Sequence, residues 1–188
     1  MAAEFSQTAL PEVYIVTPQI FTDSRGFFFE SFKSSEFSER GLESHYVQEN
    51  YSSSKQDVIR GLHYQRPPMA QIKLVRVVSG EIWDVVVDIR PDSPSFGHWH
   101  AEILSEENSK QLYIPAGFAH GFKVISKKAA VLYRTNTEYS PEHEGGIKWN
   151  DDSIGISWKL PNPIISQRDI GLPALKQSLD RGELDCFR

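Results

Sequence analysis

Ile72-Lys73-Leu74-Val75-Arg76-Val77-Val78-Ser79-Gly80-Glu81-Ile82-Trp83-Asp84-Val85-Val86-Val87-Asp88-Ile89-Arg90 is the stretch on which the fold turns. Its density of β-branched and aromatic residues suits extended chain, and Ser79-Gly80 breaks it in two as a hairpin turn does. In the second half, Trp83, Val85, Val87 and Ile89 share one face, while Asp84, Asp88 and Arg90 lie on the other. In the first half, Lys73 falls on the face of Val75 and Val77. Two strands joined by a tight turn are therefore expected over Ile72–Val78 and Glu81–Arg90.

The same rhythm extends in both directions. Upstream, Arg25-Gly26 precedes Phe27–Phe32, and Arg60–Gln65 reads as a strand. Downstream, Pro91-Asp92-Ser93-Pro94 closes the hairpin, Pro115-Ala116-Gly117 divides Gln111–Ile114 from Ala119–Ile125, and Val131–Thr137 follows Lys127-Lys128. Short helices are expected only at Ser34–Arg40 and at Pro173–Asp180, the second favoured by a proline at its start and Gly182 beyond its end. No repeat, linker or strand–helix alternation is visible. Many short strands with frequent turns mean an all-β sandwich or barrel, here one domain over residues 1–188.

Composition narrows the class of partner. The 188-residue chain is 39% hydrophobic and 24% charged, with a formal net charge of −5. A nucleic-acid partner would call for a basic face. The single cysteine, Cys186, excludes an internal disulfide framework and suits a reducing compartment. Met1–Gln7 has no basic stretch followed by an apolar core, and no apolar run approaches the ~20 residues that span a bilayer. A cytoplasmic protein that binds neither membrane nor nucleic acid is expected.

Several side chains could carry chemistry. In Arg60-Gly61-Leu62-His63-Tyr64-Gln65, period-two geometry sets Gly61, His63 and Gln65 on one face. Taken alone, His63 reads more simply as a hydrogen-bonded barrel histidine than as a catalyst. Lys73 on an apolar strand face is unusual, because lysine is seldom buried without a partner. A register in which that face is solvated is the simpler reading of that segment. Pro115-Ala116-Gly117-Phe118-Ala119-His120 is a tight turn feeding a strand, which aims His120 inward with Phe122 and Val124. This pattern is similar to the second motif of cupin barrels. Tyr133 shares a face with Val131 and Thr135, and Ile164–Asp169, taken alone, is a polar surface loop. Metal is the competing idea: cupin metal sites resemble His-x-His with a glutamate, but His63-Tyr64-Gln65 lacks the second imidazole, and neutral Gln65 is a poor substitute. His98-Trp99-His100 offers a pair on one strand face, read as a strand-edge feature.

Together these segments resemble the dTDP-4-dehydrorhamnose 3,5-epimerase family over nearly the whole chain. The likeness runs through Phe21–Phe27, Gln48-Glu49-Asn50, Arg60–Gln65, Gln71–Val77, Ser93–Gly97, Ile114–Phe122, Gly146–Asp151 and Ile165–Asp169. It implies a cupin-type jelly-roll barrel with a few short peripheral helices. It also implies a homodimer whose nucleotide pocket is completed by the partner subunit, and no metal or redox cofactor. The implied reaction converts dTDP-4-dehydro-6-deoxy-D-glucose to dTDP-4-dehydro-L-rhamnose by moving protons at C3″ and C5″, next to the C4″ ketone. By resemblance, His63 is the general base, Asp169 its paired carboxylate, Lys73 the cation beside the carbonyl and Tyr133 the general acid. The implied dTDP-sugar contacts are Arg25, Glu30, Gln48, Asn50, Arg60, His120, Glu144 and Arg168, with Tyr139 stacking on thymine.

Three positions depart from the family pattern. Glu49 stands for aspartate, Ile72 for glycine and Arg168 for lysine. Arginine keeps the charge and can grip phosphate through two N–H groups; Ile72 puts the geometry of Lys73 in question. The rival expectations are a single-position epimerase of a related keto-deoxysugar, a metal-dependent cupin oxygenase or isomerase using His63 and His120 with the His98/His100 pair as further candidates, and a non-catalytic sugar-nucleotide binding module.

Overall fold

The computed structural model describes residues 2–188. In chain order its strands are β1 (Glu4–Gln7), β2 (Tyr14–Thr17), β3 (Phe21–Asp23), β4 (Gly26–Phe28), β5 (Gln48–Lys55), β6 (Ile59–Gln65), β7 (Lys73–Ser79), β8 (Glu81–Asp88), β9 (Trp99–Ser105), β10 (Gln111–Ile114), β11 (Phe118–Val124), β12 (Lys128–Thr135) and β13 (Glu144–Gly146). The helices are α1 (Ser34–Ser38), α2 (Gln167–Ile170) and α3 (Leu175–Asp180), followed by a short 3-10 turn at Asp185–Phe187. Two antiparallel sheets face each other. One runs β1-β2-β10-β7-β12-β5 and the other β13-β6-β11-β8-β9, while β3 and β4 form a hairpin of their own. This is the all-β barrel with few short helices that the alternation and the resemblance implied.

The hairpin expected at Ser79-Gly80 is present, but its two strands belong to different sheets: β7 pairs with β10 and β12, and β8 with β11 and β9. Gly80 makes the switch at a positive φ of 79°, where a Cβ would meet Lys128 O at 2.2 Å. Between the sheets, Val75, Val77, Leu112, Ile114 and Val131 pack against Ile82, Val86, Phe118, Phe122 and Val124. The alternation in β8 is present, and neither of its faces is exposed. Trp83, Val85, Val87 and Ile89 pack outward beneath a cover that includes Ile147, Ile154, Trp158, Leu175 and Leu184, and Asp84 and Asp88 are both fully buried. A central strand covered on both faces loses the contrast between a wet side and a dry one.

The boundaries of two helices shift. α1 ends at Ser38, and α3 begins after Pro173, where Gln177 Oε1 accepts from Ala174 N at 3.1 Å. The polar segment before Asp169 is not a surface loop. Ser166 is the N-cap of α2, its Oγ accepting from Asp169 N at 3.1 Å, and the turn buries Asp169 against β6. The spacing Ser-x-x-Asp was the legible signal for this cap.

β6 and β11 approach unusually closely. A Cβ on Gly61, at φ +121°, would lie 2.5 Å from Gly121 Cα and 2.8 Å from His120 O. Gly61→Ala should therefore destabilise the protein by about 3 kcal/mol or more, since neither backbone can yield. Thermal denaturation of the variant against wild type checks this.

Candidate active site

Where β6, β7, β11, β12 and β13 meet, the barrel interior opens into a cavity of about 280 Å³. Arg60, His63, Lys73, His120, Tyr133, Tyr139, Glu144 and Arg168 line it. Asp169 sits directly behind His63, its Oδ1 at 2.7 Å from His63 Nε2. Of the thirteen residues singled out from sequence, nine thus fall in or against one pocket. Gln48 and Asn50 lie beside it on β5: they bond to each other at 2.9 Å, and Gln48 Oε1 accepts from Tyr139 N at 2.7 Å. Arg25 and Glu30 do not reach it within this chain. Arg25 is 88% exposed on the β3–β4 hairpin and paired with Asp23, and Glu30 lies near Gln111 with one carboxylate oxygen buried and unpartnered.

The two sheets contribute different chemistry. His63 and His120 are register partners on β6 and β11, so two imidazoles stand side by side on one sheet. Lys73 and Tyr133 project from β7 and β12 of the other. Each imidazole is gripped from behind at Nε2, His63 by Asp169 and His120 by both oxygens of Asp84, at 3.0 and 2.9 Å. A carboxylate at Nε2 favours the Nε2–H tautomer and leaves Nδ1 with a free lone pair.

Burial pushes Asp169 up, but the hydrogen bond and charge of His63 and the N–H of Gly61, with Ser166, outweigh it and hold the carboxyl below its ordinary range. The group is therefore an anion at neutral pH. Burial raises the Tyr133 phenol, with Arg60 pulling it down and Glu144 pushing it up, so it remains a protonated donor.

Lys73 is only 8% exposed, and its Nζ donates to His63 O at 3.2 Å. The solvated register is thus ruled out for this strand face. Burial drags Lys73 down to about 8, with Asp84 and then Glu144 acting in the opposite direction. Ile72 does not keep the lysine from the pocket: its N–H donates to Asn136 Oδ1 at 2.7 Å, and its side chain packs outside with Leu74 and Tyr113.

At the mouth, Glu144 is ion-paired with Arg168 and accepts from Tyr139 Oη at 2.7 Å. The pairing raises Arg168, and the hydrogen bond to Glu144 raises the Tyr139 phenol.

The competing metal donors are differently engaged. Gln65 spends its amide on Met69 O, Glu138 O and Ser140 N. His100 is on edge strand β9, 3.9 Å from Glu102, which agrees with the strand-edge reading. Among the described residues, no group of three or more His, Cys, Asp or Glu side chains is arranged to hold a metal ion. Sequence reasoning missed Ser52 and Gln71 in the lining and Asp84 behind His120. Period-two placement of Ser52, beside Asn50 on β5, was the available signal.

Comparison with known proteins points one way. Residues 7–177 match the family model described as dTDP-4-dehydrorhamnose 3,5-epimerase. The chain belongs to that family. It is 50% identical over 175 residues to the dTDP-4-dehydrorhamnose 3,5-epimerase of Salmonella typhimurium, covering 92% of this chain and 96% of that one. The epimerase structure from Elizabethkingia anophelis superposes with a TM-score of 0.91 at 42% identity, covering 94% of this chain and 98% of the other. That from Legionella pneumophila, in complex with dTDP-4-keto-L-rhamnose, gives 0.89 at 43% identity, covering 93% of each chain. The family is one of isomerases, and its cupin-type barrel is the fold seen here.

If Lys73 must carry a proton to act, its lowered value sets a limit on pH. The ammonium form is present below about 8 and is lost above it. Turnover should therefore fall roughly tenfold per unit as pH rises beyond that point. Rate against pH for wild type and Lys73→Arg measures it: the limb should disappear in the arginine variant, and a wild-type limb near that of free lysine refutes the assignment.

Proposed function

We propose that this protein epimerises C3″ and C5″ of dTDP-4-dehydro-6-deoxy-D-glucose, giving dTDP-4-dehydro-L-rhamnose. The observation that carries the reading is the opposition of an imidazole–carboxylate pair on one sheet to a phenol and an ammonium on the other, around one cavity. It draws support from 50% identity to an enzyme of that name and from a similar structure holding the keto-rhamnose nucleotide.

On this reading the C4″ ketone makes the neighbouring C–H bonds acidic. His63, through its free ring nitrogen, takes the proton from one face, and Asp169 steadies the imidazolium that forms. The electron pair moves onto the carbonyl oxygen as an enolate, whose charge the Lys73 ammonium stabilises. Tyr133 returns a proton to carbon from the opposite face, inverting the centre. The ketone is regenerated; the His63 imidazolium then releases its proton to solvent and the Tyr133 phenolate takes one up, which resets both side chains. No electrons are transferred overall, so the chemistry itself requires no redox partner. Arg60 and Arg168 supply the positive side of the pocket for a diphosphate, with His120 beside them.

In D₂O, the product should carry deuterium at both carbons, read by mass and stereochemical analysis. Label at one carbon alone would make the protein a single-position epimerase. His63→Ala should bind the nucleotide normally and lose at least 10²-fold in turnover; near-wild-type rates would refute the mechanism, and turnover abolished by exhaustive chelation would favour the metal-dependent reading.

We further infer a homodimer working in the cytoplasm. Phe27 and Phe28 on the hairpin are 65% and 60% exposed, and Tyr51 on β5 is 65% exposed, a display of aromatic surface that a partner would cover. Arg25 and Glu30, which do not reach this chain's pocket, would then be free to enter the partner's. The sole cysteine fits a reducing compartment, and no described helix is long and apolar enough to cross a membrane. Sedimentation should give twice the 21.4 kDa of the chain, and Phe27→Ser with Phe28→Ser should shift it toward the monomer.

A further inference from the structure

Two aspartates are completely buried in β8, and they are satisfied in different ways. Asp88 is held by Arg90, Ser93 and Ser95 at the end of the strand. Asp84, at mid-strand, has one side-chain partner: both of its oxygens meet His120 Nε2. Its neighbours on the same inward face are Ile82 and Val86, so little else compensates a carboxylate at 0% exposure. Burial of this kind is costly unless positive charge stands close by. An apolar residue in its place, with an apolar partner for His120, would pack a sandwich interior equally well.

The positive charge is Lys73, which reaches the same interior from the opposing sheet and is likewise buried. We infer that Asp84 is a positioning residue of the active site, fixing the Nε2–H edge of His120 and supplying the negative charge against which buried Lys73 keeps its proton. Asp84 is not part of the cavity lining; it acts through these two side chains. The inference rests on the epimerase reading for its kinetic consequences, though not for the charge coupling itself.

The titratable groups facing this pair are His120 from β11, His100 and Glu102 from β9, His63 from β6, Tyr133 from β12 and Glu144 from β13. Glu102 is committed to Lys110 at 2.7 Å, and Glu144 to Arg168 and Tyr139. Asp169, behind His63, likewise has an imidazole as its side-chain partner but also accepts from Gly61 N, whereas both oxygens of Asp84 meet His120 alone. Of the influences that hold Lys73 protonated, Asp84 is the larger and Glu144 the smaller.

The test is a pH titration of the Lys73 side chain by NMR in ¹³C-lysine-labelled protein, the resonance being assigned by its absence in Lys73→Arg. No substrate is needed. Asp84→Asn, close in shape, should lower the midpoint by a unit or more, a tenfold change in proton affinity. His120→Asn, which frees Asp84 for the lysine, should raise it. An unmoved midpoint in either folded variant overturns the inference, and the two opposite signs keep it testable if one variant does not fold. With the keto-sugar nucleotide, Asp84→Asn should lose about fivefold or more in kcat at pH 8 and less at pH 6.5, a recovery that mere loosening of the barrel would not produce. Wild-type protein that fails to turn over the nucleotide refutes the epimerase reading alone, because the lysine titration stands without it.

Discussion

A charge placed between two β-sheets must find its partner there, and that constraint organises the interior. Sheets packed face to face stand about 10 Å apart, too close to admit bulk water among interlocking side chains. At one end of this barrel the gap is filled by Val75, Val77, Val86, Leu112 and Val131. At the other it holds His63, Lys73, His120, Tyr133 and, behind them, Asp84 and Asp169. Each buried ionisable group there has a counterpart brought from another strand or from α2. The closeness of Gly61 to Gly121 is part of the same arrangement, because it lets the strand bearing His63 lie against the strand bearing His120.

Much of this was legible from residue order. The Ser79-Gly80 turn, the two-residue periodicity of β7 and the inward aim of His120 from its Pro-x-Gly turn are local facts, and local sequence states them. What was not legible depends on residues far away. Asp169 becomes a buried partner of His63 across 106 positions of chain, and nothing within Ile164–Asp169 announces that. Lys73 looked better solvated because the carbonyl of His63 and the charge of Asp84, which accommodate it, lie on other strands. Nor does local sequence state that β8 is covered from both directions, by the opposing sheet inside and the C-terminal segment outside.

Arg25 and Glu30 show another limit. The resemblance assigned both to nucleotide contacts, yet within a single chain the hairpin carries Arg25 into solvent and leaves Glu30 beside Gln111. A residue role borrowed from a family is a statement about an assembly, whereas strand pairing within one chain is not. The departures at Glu49 and Ile72 are local by contrast. Glu49 Oε2 accepts from Arg134 Nε at 2.8 Å on the outer face of its sheet, and Ile72 packs outside as well, so neither substitution disturbs the cavity.

The replacement at Arg168 bears directly on the proposed ligand. Its guanidinium is already paired with Glu144, which also receives the Tyr139 hydroxyl. A diphosphate arriving at this mouth would exchange one anion for another at Arg168, so the net gain is the difference between two pairings rather than the whole of one. The planar fork of arginine suits that exchange, because it can keep one N–H on Glu144 while turning another toward phosphate, where an ammonium would be a single point charge. On this account Glu144 orders the rim: it holds the Arg168 guanidinium and the Tyr139 ring in register with each other. The same carboxylate also helps to keep Lys73 protonated deeper in the cavity. Ligand capture at the rim and charge at the proposed reaction centre are thus linked through one side chain on β13.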